Sequence, residues 1–140
     1  MSAKLSLTMG FEAADLPRIQ SAIGEFSREQ DWPPDIEFQV DLVLEELVLN
    51  VVHHGSSDGE EGEIKIELFS DTESVVIDII DSGRPFDPLT DAPDPDTEST
   101  IEDRAVGGLG IHLVRTMMDE VTYRREENKN HMRLVKRRSE

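Results

Sequence analysis

Cysteine is absent from this 140-residue chain, which excludes a disulfide framework and any thiolate metal site and suits a reducing compartment. No stretch approaches the ~20 apolar residues that a membrane span needs, and Met1-Ser-Ala-Lys-Leu-Ser-Leu7 lacks the apolar centre of a leader. A cytoplasmic protein without a membrane partner is expected. Cations are scarce: 14 Lys and Arg stand against 31 Asp and Glu, a formal charge of −17. Phosphate backbones require clustered cations, so direct nucleic-acid binding is not expected. An acidic surface favours encounter with a basic protein, or serves solubility alone. No internal repeat is visible, and 36% apolar residues supply one ordinary core, so residues 1–140 are read as a single domain.

What is present alternates between two periods. Residues 4–9 alternate as a short strand, and Leu16, Ile19, Ile23 and Phe26 then recur at helical spacing. Asp15 followed by Pro17 marks a helix start, and Asp31-Trp-Pro-Pro34 ends that helix. From Ile36 to Val52 the apolar stripe is wide, which predicts a helix buried on more than one side. Two alternating strands follow at 63–69 and 75–80, a short helix at 110–118, and two strands near 120–125 and 131–137 around an Asn/Lys turn. Residues 82–105 carry four of the seven prolines and no sustained period. Residues 87–103 hold seven acidic side chains and no Lys or Arg. A structureless connection longer than ~12 to 15 residues is uncommon, so a functional lid over about 87–106 is expected. The order β-α-α-β-β-lid-α-β-β predicts an α+β domain, helices layered on one face of a mixed, mostly antiparallel sheet.

The chemistry concentrates in two separated signals. Glu46 and Asn50, four residues apart, share one helix face, where a base and a magnesium ligand can both meet a triphosphate. Asn50 stands out in so apolar a run; a buried Asn satisfied by backbone groups is the alternative. Glu46 can orient or deprotonate an attacking hydroxyl. Glu45 beside it is the competing carboxylate, and it points about a quarter turn away. His53 and His54 diverge on a helix and make poor joint zinc ligands. The second signal begins at Asp81, which closes an apolar strand where an unpaired carboxylate is costly. An exocyclic adenine amino group is a suitable donor to it, Gly83 permits close approach of the base, and Phe86 can pack nearby; an Asp-Ser-Gly turn is the alternative. Gly107-Gly108-Leu-Gly110 then opens an amphipathic helix whose N-terminal amides can hold phosphate. Arg104, or else Arg84, is the candidate cation for the terminal phosphate. Either can instead pair with the surrounding acids.

Glu46-x-x-x-Asn50, Asp81-x-Gly83-x-Pro85-Phe86 and Gly108-Leu-Gly110-Ile-His-Leu-Val114, in this order, resemble the N, G1 and G2 boxes of the GHKL ATPase superfamily. Residues 107–123 and 130–137 resemble more narrowly the anti-sigma-factor serine/threonine kinases of bacterial partner-switching systems. The resemblance implies a Bergerat-type two-layer α/β sandwich, with ATP and Mg2+ as cofactors. It implies that Asn50 binds magnesium, Glu46 is the catalytic base, Asp81 and Gly83 read adenine, and Gly108 and Gly110 contact phosphates, with Arg104 a further phosphate contact. It implies as partners an anti-anti-sigma (STAS-domain) protein as substrate and a sigma factor, and it implies a homodimer. Where family members carry a Gly-Thr pair before the last strand this chain has Lys129-Asn130, so Asn130 is expected to supply the polar contact. A binding module that holds ATP without transferring phosphate is a competing reading. The catalytic domain of a histidine kinase is another, disfavoured because 140 residues are expected to leave no room for a preceding helix bearing an acceptor histidine.

Overall fold

A computed structural model describes residues 2–54, 62–91 and 108–138. Strand β1 (Ala3–Gly10) leads through a 3-10 turn into helices α1 (Leu16–Glu29) and α2 (Pro34–His54). The hairpin β2 (Glu63–Ser70) and β3 (Ser74–Asp81) follows, then a one-turn helix α3 (Pro88–Asp91) and helix α4 (Gly108–Met117). The chain closes on the hairpin β4 (Glu120–Glu126) and β5 (Lys129–Arg137). The sheet order is β1-β2-β3-β5-β4. Every pair in it is antiparallel, so the mixed pairing expected from the element order reduces to a wholly antiparallel sheet among the described residues. The α+β architecture is otherwise as read, with α3 added inside the stretch that lacks a period.

Strand alternation sorts the sheet into two faces. Ile64, Ile66, Leu68, Val75, Ile77, Ile79, Met132 and Leu134 point one way and are buried in a single core with Ile19, Ile23, Val40, Leu44, Leu47 and Val114 from the helices. The other face carries Lys65, Glu67, Asp78 and Arg133, where the Arg133 guanidinium meets both oxygens of Asp78 at 2.7 and 2.8 Å.

The junction between α1 and α2 is built by local chemistry. Asp31 adopts φ 53°, and Asp31 N and Trp32 N donate back to Arg28 O and Ser27 O, the two bonds of a Schellman cap. The apolar contact that accompanies such a cap is Trp32 against Phe26, edge to face at 5.8 Å. Pro33 O then accepts from Ile36 N and Glu37 N as α2 begins, with Pro34 where its missing N–H costs nothing. Trp32 Nε1 donates to Ser70 Oγ at 2.9 Å, so α2 starts beside the β2–β3 turn. It ends at the opposite edge of the sheet, where Asp81 pairs with Ile64 and with Asn130. Lys136 Nζ reaches Met117 O, which sets the last turn of α4 near the β2–β3 turn.

Candidate functional site

Three buried polar residues gather at that edge. Asp81 follows Ile77 and Ile79 on the core face of β3, and Asn130 precedes Met132 and Leu134 on the core face of β5. The register sets the two directly opposite, and Asn130 Nδ2 donates to Asp81 Oδ1 at 2.9 Å. Gly83 N donates to the same oxygen at 2.9 Å, closing the Asp-Ser-Gly turn. Asn50 comes from α2, one helical turn past Glu46 and on the same face. Asn50, Asp81 and Phe86 line one pocket, its walls completed by Leu47, Val51, Ile79, Pro88, Asn130 and Met132.

Electrostatics separate the acids. Asp81 is 4% exposed, and burial raises its carboxyl above the ordinary range, opposed by the Asn130 and Gly83 hydrogen bonds and by the Arg125 and His131 charges. Glu46 is half-buried and its carboxyl is also raised, first by burial and then by Glu45. A carboxylate moved toward neutrality suits a proton acceptor better than a fully solvated one. Glu45 faces a different row: with Glu37 it raises Asp41, whose own burial is the larger cause. The helix thus divides its acids, and Glu46 belongs to the Asn50 face.

Asn50 is 2% exposed, and neither its Oδ1 nor its Nδ2 has a hydrogen-bond partner among the described residues. No backbone group among the described residues satisfies it. An orphaned buried amide costs about 1–3 kcal/mol per group unless a ligand completes it. Its oxygen suits one position on a hard cation that keeps waters and phosphate oxygens for the rest. The donor set therefore fits magnesium carried in on a nucleotide.

The structure brings Asn50, Asp81 and Phe86 together and holds Gly83 in their turn. Glu46 stands a turn away and is not part of the pocket lining. Gly108 and Gly110 lie in the first turn of α4. Arg104, Gly107 and most of the lid lie outside the described residues, as does the side chain of His54; His53 is exposed. Arg84, also exposed, contributes its backbone carbonyl to the network around Asn130. Tyr123 and Arg125 were not legible as site residues. Tyr123 OH bonds Asn130 Oδ1, and Arg125 Nη1 donates to Gly83 O at 2.8 Å. Their signal is the two-residue turn at Glu127 and Asn128, which pairs Arg125 with Asn130.

The antiparallel sheet layered with helices is the fold of a histidine kinase-like ATPase domain. The sequence profile of that domain matches residues 10–136, and the chain belongs to this family. Within it the chain is RsbW-like. It is 30% identical over 104 residues to the serine/threonine-protein kinase BtrW of Bordetella bronchiseptica, covering 74% of this chain and 72% of that one. It is 33% identical over 85 residues to the serine-protein kinase RsbW of Bacillus pumilus, covering 57% and 52%. Among solved structures, the RsbU and RsbW domains of Rv1364c from Mycobacterium tuberculosis superpose with a TM-score of 0.67 at 14% identity. That match covers 96% of this chain and 32% of that one. The catalytic domain of the histidine kinase ThkA superposes with a TM-score of 0.55 at 18% identity, covering 96% and 99%. The chain thus spans about half of the Bacillus relative and a third of the mycobacterial one. No helix among the described residues is long and apolar enough to cross a membrane.

Proposed function

We propose that the chain is an ATP-dependent serine/threonine protein kinase and anti-sigma factor, which phosphorylates a small STAS-type anti-anti-sigma protein and sequesters a sigma factor. The observation that carries the kinase reading is Asn50, a buried amide with both polar atoms unpartnered among the described residues, in one pocket with Asp81 and one turn from Glu46. Asp81 accepts a hydrogen bond from the adenine amino group beside Gly83, and Phe86 packs against the base. Asn50 offers its oxygen to Mg2+, which when bound offsets the charge of the phosphates. Amides of the first α4 turn, at Gly108 and Gly110, face phosphate, and Arg104 meets the terminal one. Glu46 is the base: it takes the proton of the acceptor hydroxyl as that oxygen bonds to the terminal phosphorus and ADP leaves. The acidic surface suits a basic sigma segment, and the family resemblance supports a cytoplasmic homodimer.

A non-catalytic ATP-dependent binding module of the same fold is the second reading, and the position of Glu46 outside the pocket lining favours it. Transfer of label from ATP to candidate STAS proteins, in magnesium, separates the two. Under the kinase reading Glu46→Gln lowers transfer by about 10^2- to 10^4-fold while leaving ATP affinity within about threefold, and Asn50→Ala lowers both. Bound nucleotide without transfer to any candidate supports the binding module.

A further inference from the structure

Asn130 uses both ends of its side-chain amide. It is 3% exposed, so water is no substitute partner. An Asn amide has two N–H donors and two acceptor lone pairs. Here Nδ2 donates to Asp81 Oδ1 at 2.9 Å and to Arg84 O at 2.8 Å, while Oδ1 accepts from Phe86 N at 3.4 Å and from the Tyr123 hydroxyl. Those partners fix the orientation of the amide, because a flip would set its oxygen against a carboxylate and a carbonyl. Burial raises the Tyr123 phenol, which keeps it the donor. One amide thus grips the strand end at Asp81 and the loop at Arg84 and Phe86. Arg125 adds a hold on Gly83 from the same hairpin.

We infer that Asn130, braced by Tyr123, is the positioning residue of the base-reading loop: it keeps Asp81 a hydrogen-bond acceptor and so makes the site select a 6-amino purine over a 6-oxo purine. The inference rests on the reading of Asp81 as the base-contacting residue. A carboxylate that already accepts from Asn130 and Gly83 on one oxygen is held in one rotamer, and both bonds favour its charged form. It meets an amino group favourably and a carbonyl oxygen unfavourably. The hydroxyl of a threonine has a single proton to donate, so it cannot hold Asp81 and the Arg84 carbonyl at once.

Binding of ATP and of inosine triphosphate, which carries a 6-oxo group and an N1 proton in place of the 6-amino group, tests this by calorimetry on the full chain. The unaltered protein is expected to prefer ATP. Asn130→Ala is expected to lower ATP affinity about 10- to 100-fold while changing inosine triphosphate affinity less than about threefold, so the preference collapses. Tyr123→Phe, which removes the brace and leaves the amide, is expected to shrink the preference several-fold and serves if the alanine variant does not fold. Asn130→Asp, forcing the two carboxyls to share a proton, is expected to shift the preference toward inosine triphosphate. An unchanged ratio in a folded Asn130→Ala or Tyr123→Phe protein overturns the inference, as do equal losses for both nucleotides. If Asp81→Asn also leaves ATP binding unaltered, the base-contact reading fails and the inference falls with it. ATP binding that depends on Asp81 but not on Asn130 overturns the positioning role alone.

Discussion

The two ends of the sheet handle buried polarity in opposite ways. At the β2–β3 turn, Ser70 is 1% exposed and receives the Trp32 indole, and Asp71 caps the turn with bonds from Glu73 N and Ser74 N. Arg138 ties the corner together by donating to the carbonyls of Asp71, Gln30 and Asp31. At the other end Asn50 is buried with its amide unanswered among the described residues, and Asp81 is an acid in an apolar wall. The first end pairs these groups with the chain; the second pairs Asp81 and Asn130 in the same way but leaves Asn50 without a partner among the described residues. Under the proposed function, stability and binding divide between different ends of the same strands.

Substitution at each end breaks or sharpens this contrast. Asp81→Asn should lower ATP affinity by at least about 100-fold, yet leave the melting temperature equal or higher. The sign follows from the raised carboxyl: it binds its proton more tightly folded than unfolded, so its contribution to stability is greatest in acid and is lost as pH rises through the folded value. At neutral pH the buried charge is a cost that Asn removes. A fall of several degrees in thermal unfolding would instead make Asp81 part of the scaffold. Trp32→Phe should do the reverse, removing about 1–3 kcal/mol by leaving the Ser70 hydroxyl unpaired, with ATP affinity within about twofold. Denaturant titration and calorimetry on the one protein check both halves.

A smaller effect lies in the pH profile. Since Glu46 is raised, phosphate transfer at saturating ATP should fall about tenfold per unit below a midpoint above the ordinary glutamate value. A transfer rate that holds until the ordinary glutamate range would remove Glu46 as the base. Smallest is the hairpin turn, where Glu127 and Asn128 both have positive φ, the signature of a type I′ turn that favours Asn-Gly. Glu127→Asn should add up to about 1 kcal/mol to unfolding without altering ATP affinity, which places the strain in the scaffold rather than in the site.

Much of this was legible because each element carries its own period. The eight-residue alternation of β2 and β3 and the helical recurrence at Leu16, Ile19, Ile23 and Phe26 are local, and so is the break at Asp31-Trp-Pro-Pro34. Glu46 and Asn50 were readable because four residues on a helix is a geometric statement by itself. The strand order was not local. Nothing in residues 74–81 announces that β5 rather than β4 lies alongside, so the pairing of Asp81 with Asn130 could not be read. Asn130 drew attention as a departure from a family pattern, and its grip on the loop emerged from the register. Tyr123 and Arg125 looked like ordinary members of a half-exposed strand for the same reason. Most of the lid acids, and Arg104, lie outside the described residues.

Helix α2 joins the two ends, and its length gives that junction a phase. Twenty-one residues at about 1.5 Å each make a rod of roughly 30 Å, keyed at one end by Pro34 beside the Trp32 corner. Each residue also advances the rod by about 100°, so distance and angle cannot be adjusted separately. One residue inserted between Ile36 and Glu46 would leave the Glu46–Asn50 spacing intact, yet turn both side chains away from Asp81 by more than a quarter revolution. The corner indexes the shaft, and the pocket is in register only at one setting.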